Sequence, residues 1–206
     1  MDASQLPKVE PIDSACRYCH LEDFEEVVLS HSAGTVVPSV GAMVEGWVLI
    51  FPKRHVLSLS ELSETEWAGF SELAEHVSTS VEGNYGPTVR FEHGSAGEGR
   101  LAACGVDHAH LHIVPLSIDL RDAIERIDHG VTFSWQAVTG QVPKATREDY
   151  VFVADATGQW VSFHAWLPGQ VVRRAIAATL NLVEWDWKAN ARLSNVEATR
   201  ATLRSA

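Results

Sequence analysis

The segment Asp107-His108-Ala109-His110-Leu111-His112-Ile113-Val114-Pro115 constrains this chain more than any other. Alternate side chains of a β-strand point to opposite faces, so the pattern sets three imidazoles on one side and Ala109, Leu111 and Ile113 on the other. One face is core and the other is imidazole. Three chemistries are open to such a face. The rings can be structural, although each buried imidazole needs partners for two nitrogens. They can be ligands, since His-x-His on a strand presents two nitrogens to zinc. They can be catalytic, with one ring attacking phosphorus while its neighbours orient it and assist the leaving group.

The length of 206 residues fits one globular domain with a substantial extension. Apolar residues make up 46% and charged residues 21%, the balance of a folded chain able to bury a core. The net charge of -11 argues against a nucleic-acid duplex or an anionic membrane as partner, because both attract basic surfaces. A phosphorylated small molecule is still compatible, through a local cluster of opposite sign. Residues 1–10 lack a basic segment followed by an apolar one, and the longest purely apolar run, 47–51, is far too short to span a bilayer. The expectation is a cytoplasmic protein. Three cysteines are an odd number and no disulfide framework; Cys16 and Cys19 form a Cys-x-x-Cys that reads as metal-binding or redox, and Cys104 as a small core or pocket residue.

Along the chain, residues 1–15 form a Pro-containing lead-in, and 27–29 and 35–37 are short β-prone runs split by Ser32-Ala33-Gly34. Residues 47–51 read as a strand covered on both faces, ending at Pro52 and delivering Lys53, Arg54 and His55. Ser63-Glu64-Thr65-Glu66 is a capping box opening an amphipathic helix that Gly83 is expected to close. Residues 88–91 alternate as a strand, with Val89 and Phe91 on one face. Gly94, Gly97, Gly99 and Gly105 then form a connection whose backbone N–H groups could line a phosphate pocket or make a simple turn. Beyond Pro115, 119–127 and 170–180 read as helices and 131–138, 150–154 and 160–165 as strands. Five of the seven tryptophans, at 135, 160, 166, 185 and 187, fall in this part and are expected to pack it onto the core. Arg173 and Arg174 are either surface charge or reach a substrate phosphate.

A zinc site needs about four ligands. Cys16, Cys19, His55 and one histidine of the strand supply a Cys₂His₂ set and leave two histidines for other work.

The motif His108-Ala109-His110-Leu111-His112-Ile113-Val114 resembles the signature of the histidine triad (HIT) family, His-φ-His-φ-His-φ-φ with φ apolar. Cys16-Arg17-Tyr18-Cys19 and the exit Ile50-Phe51-Pro52-Lys53-Arg54-His55 also match, so the resemblance covers roughly residues 16–117. It implies an α+β fold, an antiparallel sheet with helices on one side, over 16–118, with 119–206 as a C-terminal α/β extension packed on it. The implied activity is hydrolysis of a nucleotide phosphoanhydride or phosphoramidate, as in a dinucleoside polyphosphate, through a covalent nucleotidyl-histidine; nucleotide transfer is the related reaction. His110 would be the nucleophile and His112 would assist the leaving group. Structural zinc would be held by Cys16, Cys19, His55 and His108. Gly94, Gly105 and Arg173 are candidates for substrate contact. Related uridylyltransferases carry glutamine where His112 stands, which favours hydrolysis here. Gly105 stands where many members have serine, so phosphate contacts fall to backbone groups or to other residues. A homodimer is a common family assembly. Two other functions fit the same residues: a nucleotide-binding module without catalysis, and a metallohydrolase with zinc on His108, His110 and His112.

Overall fold

The structure, a computed structural model, describes residues 16–23, 26–99, 106–127, 130–144 and 148–205. The lead-in 1–15, Cys104 and Gly105 lie outside the described residues. The capping box forms as read: Ser63 Oγ accepts the Glu66 N–H, and Glu66 Oε2 accepts the Ser63 N–H at 2.8 Å. Helix α1 (Glu64–Tyr85) follows. It runs through Gly83 and stops at Gly86, which has a φ of 93° that a side-chain-bearing residue resists.

Eight strands make one antiparallel sheet: β1 (Leu29–His31), β2 (Gly34–Pro38), β3 (Val48–Pro52), β4 (Thr88–Gly94), β5 (Leu111–Pro115), β6 (Gln136–Ala137), β7 (Asp149–Asp155) and β8 (Gly158–His164). Their spatial order is β1-β2-β3-β5-β4-β7-β8-β6. The strands after residue 118 extend the same sheet, because β7 pairs along β4 from Arg90↔Ala154 to Gly94↔Tyr150. The strand expected over 131–138 shrinks to β6, since the Ser134 N–H goes to the Ser162 hydroxyl at 2.9 Å instead of a backbone carbonyl.

The pleat assigns the two faces. Val48, Ile50, Leu111 and Ile113 pack with Phe70, Leu73, Ala74, Val77 and Val81 of α1. The opposite face carries Phe91, Val151 and Val153, covered by α2 (Leu120–Glu125) and α3 (Val171–Thr179) through Leu120, Ile124, Val172 and Ile176. The helix of the first 118 residues thus lies on one side, and α2 and α3 of the extension lie on the other. Trp135, Trp160 and Trp185 pack into this second layer, while Trp166 stays exposed.

The sequence reading has no counterpart for α4 (Leu193–Arg204), although Val196, Thr199 and Leu203 bury one face at helical spacing. The segment leading into α4, and α4 itself, clasp the β2–β3 loop. Ala191 accepts the Gly41 N–H at 2.7 Å, Ala42 accepts from Asn195 Nδ2 at 2.8 Å, and Thr199 Oγ1 accepts the Gly46 N–H at 2.8 Å. Gly41 has a φ of 72°, and a Cβ there would lie 2.5 Å from Trp187 Cβ, so its lack of a side chain lets this segment close in.

Candidate functional site

The three histidines are buried on the face of β3 that carries Leu49 and Phe51, but only His112 belongs to the regular strand. Phe51 stacks on His110 with centroids 5.1 Å apart and meets His108 edge-on. Phe91 of β4 lies flat on His112 at 4.1 Å.

Each ring is held in one tautomer by a partner whose hydrogen-bonding sense is fixed. A carbonyl only accepts, so His108 donates from Nε2 to the Pro52 carbonyl (3.1 Å), which leaves its Nδ1 lone pair open. His110 donates from Nδ1 to the His108 carbonyl (2.9 Å), which leaves Nε2 as its basic, nucleophilic atom. At His112 the sense reverses: the Trp47 indole N–H, a donor only, points at its Nδ1 (3.1 Å). The His112 proton therefore sits on Nε2, which is buried and has no hydrogen-bond partner among the described residues.

Burial also keeps the rings neutral. His110 is pushed below its usual range by loss of solvent, partly offset by the His108 carbonyl. His112 is pushed well below it, first by burial and then by the nearby charges of His110, Arg173 and His93. Burial, followed by His110 and Arg173, takes His93 down to about 3. Burial, opposed by the hydrogen bond to the Pro52 carbonyl and aided by His55 and His110, takes His108 to about 4.

The Nδ1 lone pair of His108 faces the Cys-x-x-Cys. It lies 3.5 Å from Cys16 Sγ and 3.7 Å from Cys19 Sγ, and His55 Nδ1 lies 3.4 Å from Cys19 Sγ. One donor atom from each of the four residues falls within 4.8 Å of the others, close enough to share a metal ion. A tetrahedral zinc with Zn–S of about 2.3 Å and Zn–N of about 2.0 Å would set its ligands about 3.3–3.8 Å apart, the range of the three Cys–His contacts above, so the chemistry and spacing of this donor set suit one. His108 is thus grouped with the thiols, and the set His108, His110, His112 does not gather as ligands among the described residues.

His110 and His112 line a cavity of about 230 Å³. Tyr18, Leu21, Val37, Leu49 and Phe51 form its apolar walls, and Arg17, Glu26 and Ser39 add polar groups. The extension closes it with Arg173, Trp187 and Val196. Arg173 is 2% exposed, so its reading as surface charge gives way to a fixed interior cation. Its guanidinium donates to the Gly41 carbonyl and to the Trp185 carbonyl (3.3 Å) and lies 4.6 Å over the Trp47 ring.

Of the two readings of the glycine-rich connection, its described part fits the turn. Gly94 shares the α1 face with its partner Tyr150, and a Cβ there would sit 2.0 Å from the Tyr150 ring; the glycine makes room for an aromatic, away from the cavity. Further along, the N–H groups of Ala96, Gly97 and Gly99 go to Asp149, Ser95 and Asp107, which leaves them no part in a phosphate cradle. The sequence reading also missed Trp47 and His93. Continuing the Val89, Phe91 alternation by one step finds His93, whereas nothing in the sequence marks Trp47 apart from its place at the start of the apolar run 47–51.

The HIT domain family model matches residues 22–118. Over that span the chain matches the histidine triad family. No curated protein matches it. Among solved structures, it is similar to a hypothetical histidine triad nucleotide-binding protein from Sulfolobus tokodaii at 22% identity, over 48% of this chain and 68% of that one, with a TM-score of 0.41. A hypothetical protein from Leishmania major is 23% identical over 61% and 84% of the two chains, TM-score 0.43. A zinc-bound histidine triad family protein from Mycobacterium smegmatis is 18% identical over 49% and 74%, TM-score 0.42. The histidine triad match supports a nucleotide-binding or hydrolase role at the level of the family, and no described helix is long and apolar enough to cross a membrane.

Proposed function

We propose that this protein is a histidine triad nucleotide hydrolase that cleaves a phosphoanhydride or phosphoramidate through a covalent nucleotidyl-His110. The observation that carries the reading is the opposed tautomers in one cavity: His110 keeps a lone pair on Nε2, while its neighbour His112 keeps a proton there. Neutral imidazole suits attack on a phosphorus centre whose oxygens are negatively charged, because it brings no charge of the same sign. As Nε2 of His110 bonds to phosphorus, Nδ1–H stays against the His108 carbonyl, which stabilises the positive charge appearing on the ring. The bond to the leaving group breaks with its electron pair on the departing atom. Water then attacks phosphorus, the P–N pair returns to Nε2, and the surplus proton passes to solvent.

Arg173 is the substrate-binding residue of this reading, a permanent positive charge on the cavity wall of an acidic protein. Gly105, the other candidate for substrate contact, lies outside the described residues, and Gly94 drops out. Zinc on Cys16, Cys19, His55 and His108 would be structural, pinning the Cys-x-x-Cys to the strand exit and to the start of the histidine segment.

Intact mass spectrometry after mixing with a panel of dinucleoside polyphosphates and nucleoside phosphoramidates tests the mechanism. The expected result is an adduct of nucleotide mass in the wild type, absent from a folded His110→Ala variant that has also lost turnover. Full activity in His110→Ala overturns it. Binding without adduct or turnover across the panel would assign a nucleotide-binding module instead.

A further inference from the structure

We propose that Trp47 is a positioning residue that locks His112 as a hydrogen-bond donor unable to deliver a proton, so that the site is matched to leaving groups that depart as anions. This rests on the hydrolase reading above and narrows it to phosphoanhydrides over phosphoramidates.

The lock is geometric. Trp47 is fully buried and stands edge-on to both Phe91 and His112, with the Arg173 guanidinium over its ring. Its N–H has no second role, since an indole nitrogen donates and never accepts. The contact to His112 Nδ1 therefore survives only while that nitrogen keeps its lone pair. Protonating His112 would set an N–H against an N–H in a buried site, beside Arg173 and within reach of His110 and His93. Phe91, flat against the ring, opposes the flip that would relieve the clash. The ring is thus confined to neutral Nε2–H, with that hydrogen unpartnered among the described residues and His112 lining the cavity.

The consequence falls on the leaving group. When a P–O–P bridge breaks, the electron pair stays on a phosphate oxygen that is stable as an anion, and a hydrogen bond from Nε2–H is sufficient assistance. When a P–N bond breaks, the nitrogen must gain a proton as it leaves, since an amide anion is not a viable product. A neutral imidazole N–H is far too weak an acid to supply it. A histidine free to become imidazolium could supply it; this one is held back by Trp47.

Nitrogen-15 NMR of the histidine rings reads the lock without any substrate. Across the neutral pH range, His112 is expected as the single Nε2–H tautomer. Trp47→Phe keeps a ring under Arg173 but removes the donor, and should give a mixture of tautomers. If that variant does not fold, benzothienylalanine at position 47 replaces N–H with sulfur at nearly constant shape. For the wild type, a nucleoside phosphoanhydride should turn over faster than the matching phosphoramidate. The variant should lower kcat on the anhydride about three- to tenfold, the worth of one hydrogen bond, with KM little changed. A cationic or Nδ1–H His112 in the wild type, a tautomer unmoved by losing the indole N–H, or phosphoramidate turnover as fast as anhydride turnover each overturns the proposal. No turnover of either class, with no adduct, overturns the hydrolase reading and the substrate preference with it, while the NMR result still decides the lock.

Discussion

Burial of neutral imidazoles has a measurable consequence at the scale of single residues. His93 sits on β4 one alternation beyond Phe91, buried, with its pKa at about 3 against an unfolded value of 6.5. Below about pH 6.5 the unfolded chain therefore takes up a proton that the folded chain refuses. The stability contributed by keeping His93 neutral is complete above about pH 6.5 and is lost as pH falls toward about 3. Near pH 5 the loss is about 2 kcal/mol. Urea midpoints should drop between about pH 7 and pH 5, and a folded His93→Gln variant should show a shallower drop. Glu92, one residue away and facing α1, slopes the other way. Burial, opposed by hydrogen bonds from Tyr150 and the Leu59 N–H, raises it to about 8, so its contribution is lost as pH climbs from about 4.5 toward that value. The alternation of β4 separates the two groups onto opposite faces, and the sequence shows that alternation. It does not show the burial of both faces, which comes from α1 on one side and α3 on the other.

At the scale of elements, the cavity depends on how α4 and the segment before it hold the β2–β3 loop. Thr199 is fully buried, and its hydroxyl accepts the Gly46 N–H immediately before Trp47. Thr199→Val keeps the shape and leaves that N–H unsatisfied, at a cost of about 1–3 kcal/mol. Thermal melts should show the loss, and activity should fall further than stability alone predicts, because Trp47 follows directly in the chain. Individual elements were legible where a local signal was complete: the capping box before α1, the apolar run of β3, and the histidine alternation entering β5. Helix α4 was overlooked because a single narrow stripe, Val196, Thr199 and Leu203, is its apolar face. The strand expected over 131–138 is shorter in the structure because the ladder to β8 holds Gln136 and Ala137 while the Ser134 N–H goes to the Ser162 hydroxyl.

At the scale of the whole molecule, the candidate metal centre joins three segments far apart in the chain: Cys16 and Cys19, His55 beyond β3, and His108 before β5. Holding such distant points together restricts the unfolded chain and links stability to metal. The wild-type protein should carry zinc by elemental analysis and lose several degrees of melting temperature on chelation. Cys16→Ser should lack the metal and be indifferent to the chelator. Retention of zinc by Cys16→Ser would contradict this assignment. The sequence by itself determined the alternation of the three histidines, the family motif they match, and the residue types able to hold zinc or attack phosphorus, because those are properties of spacing and side-chain chemistry. Only the tertiary structure decided which nitrogen of each ring carries the proton. A carbonyl at Pro52, a carbonyl at His108 and an indole at Trp47 settle that, and two of the three partners lie at the two ends of β3, Pro52 as its last residue and Trp47 just before its first, far from the histidines in the chain. It also decided between surface charge and cavity wall for Arg173 in favour of the wall, since its burial depends on Gly41, Trp47 and Trp185, contacts between residues more than a hundred positions apart in the first two cases.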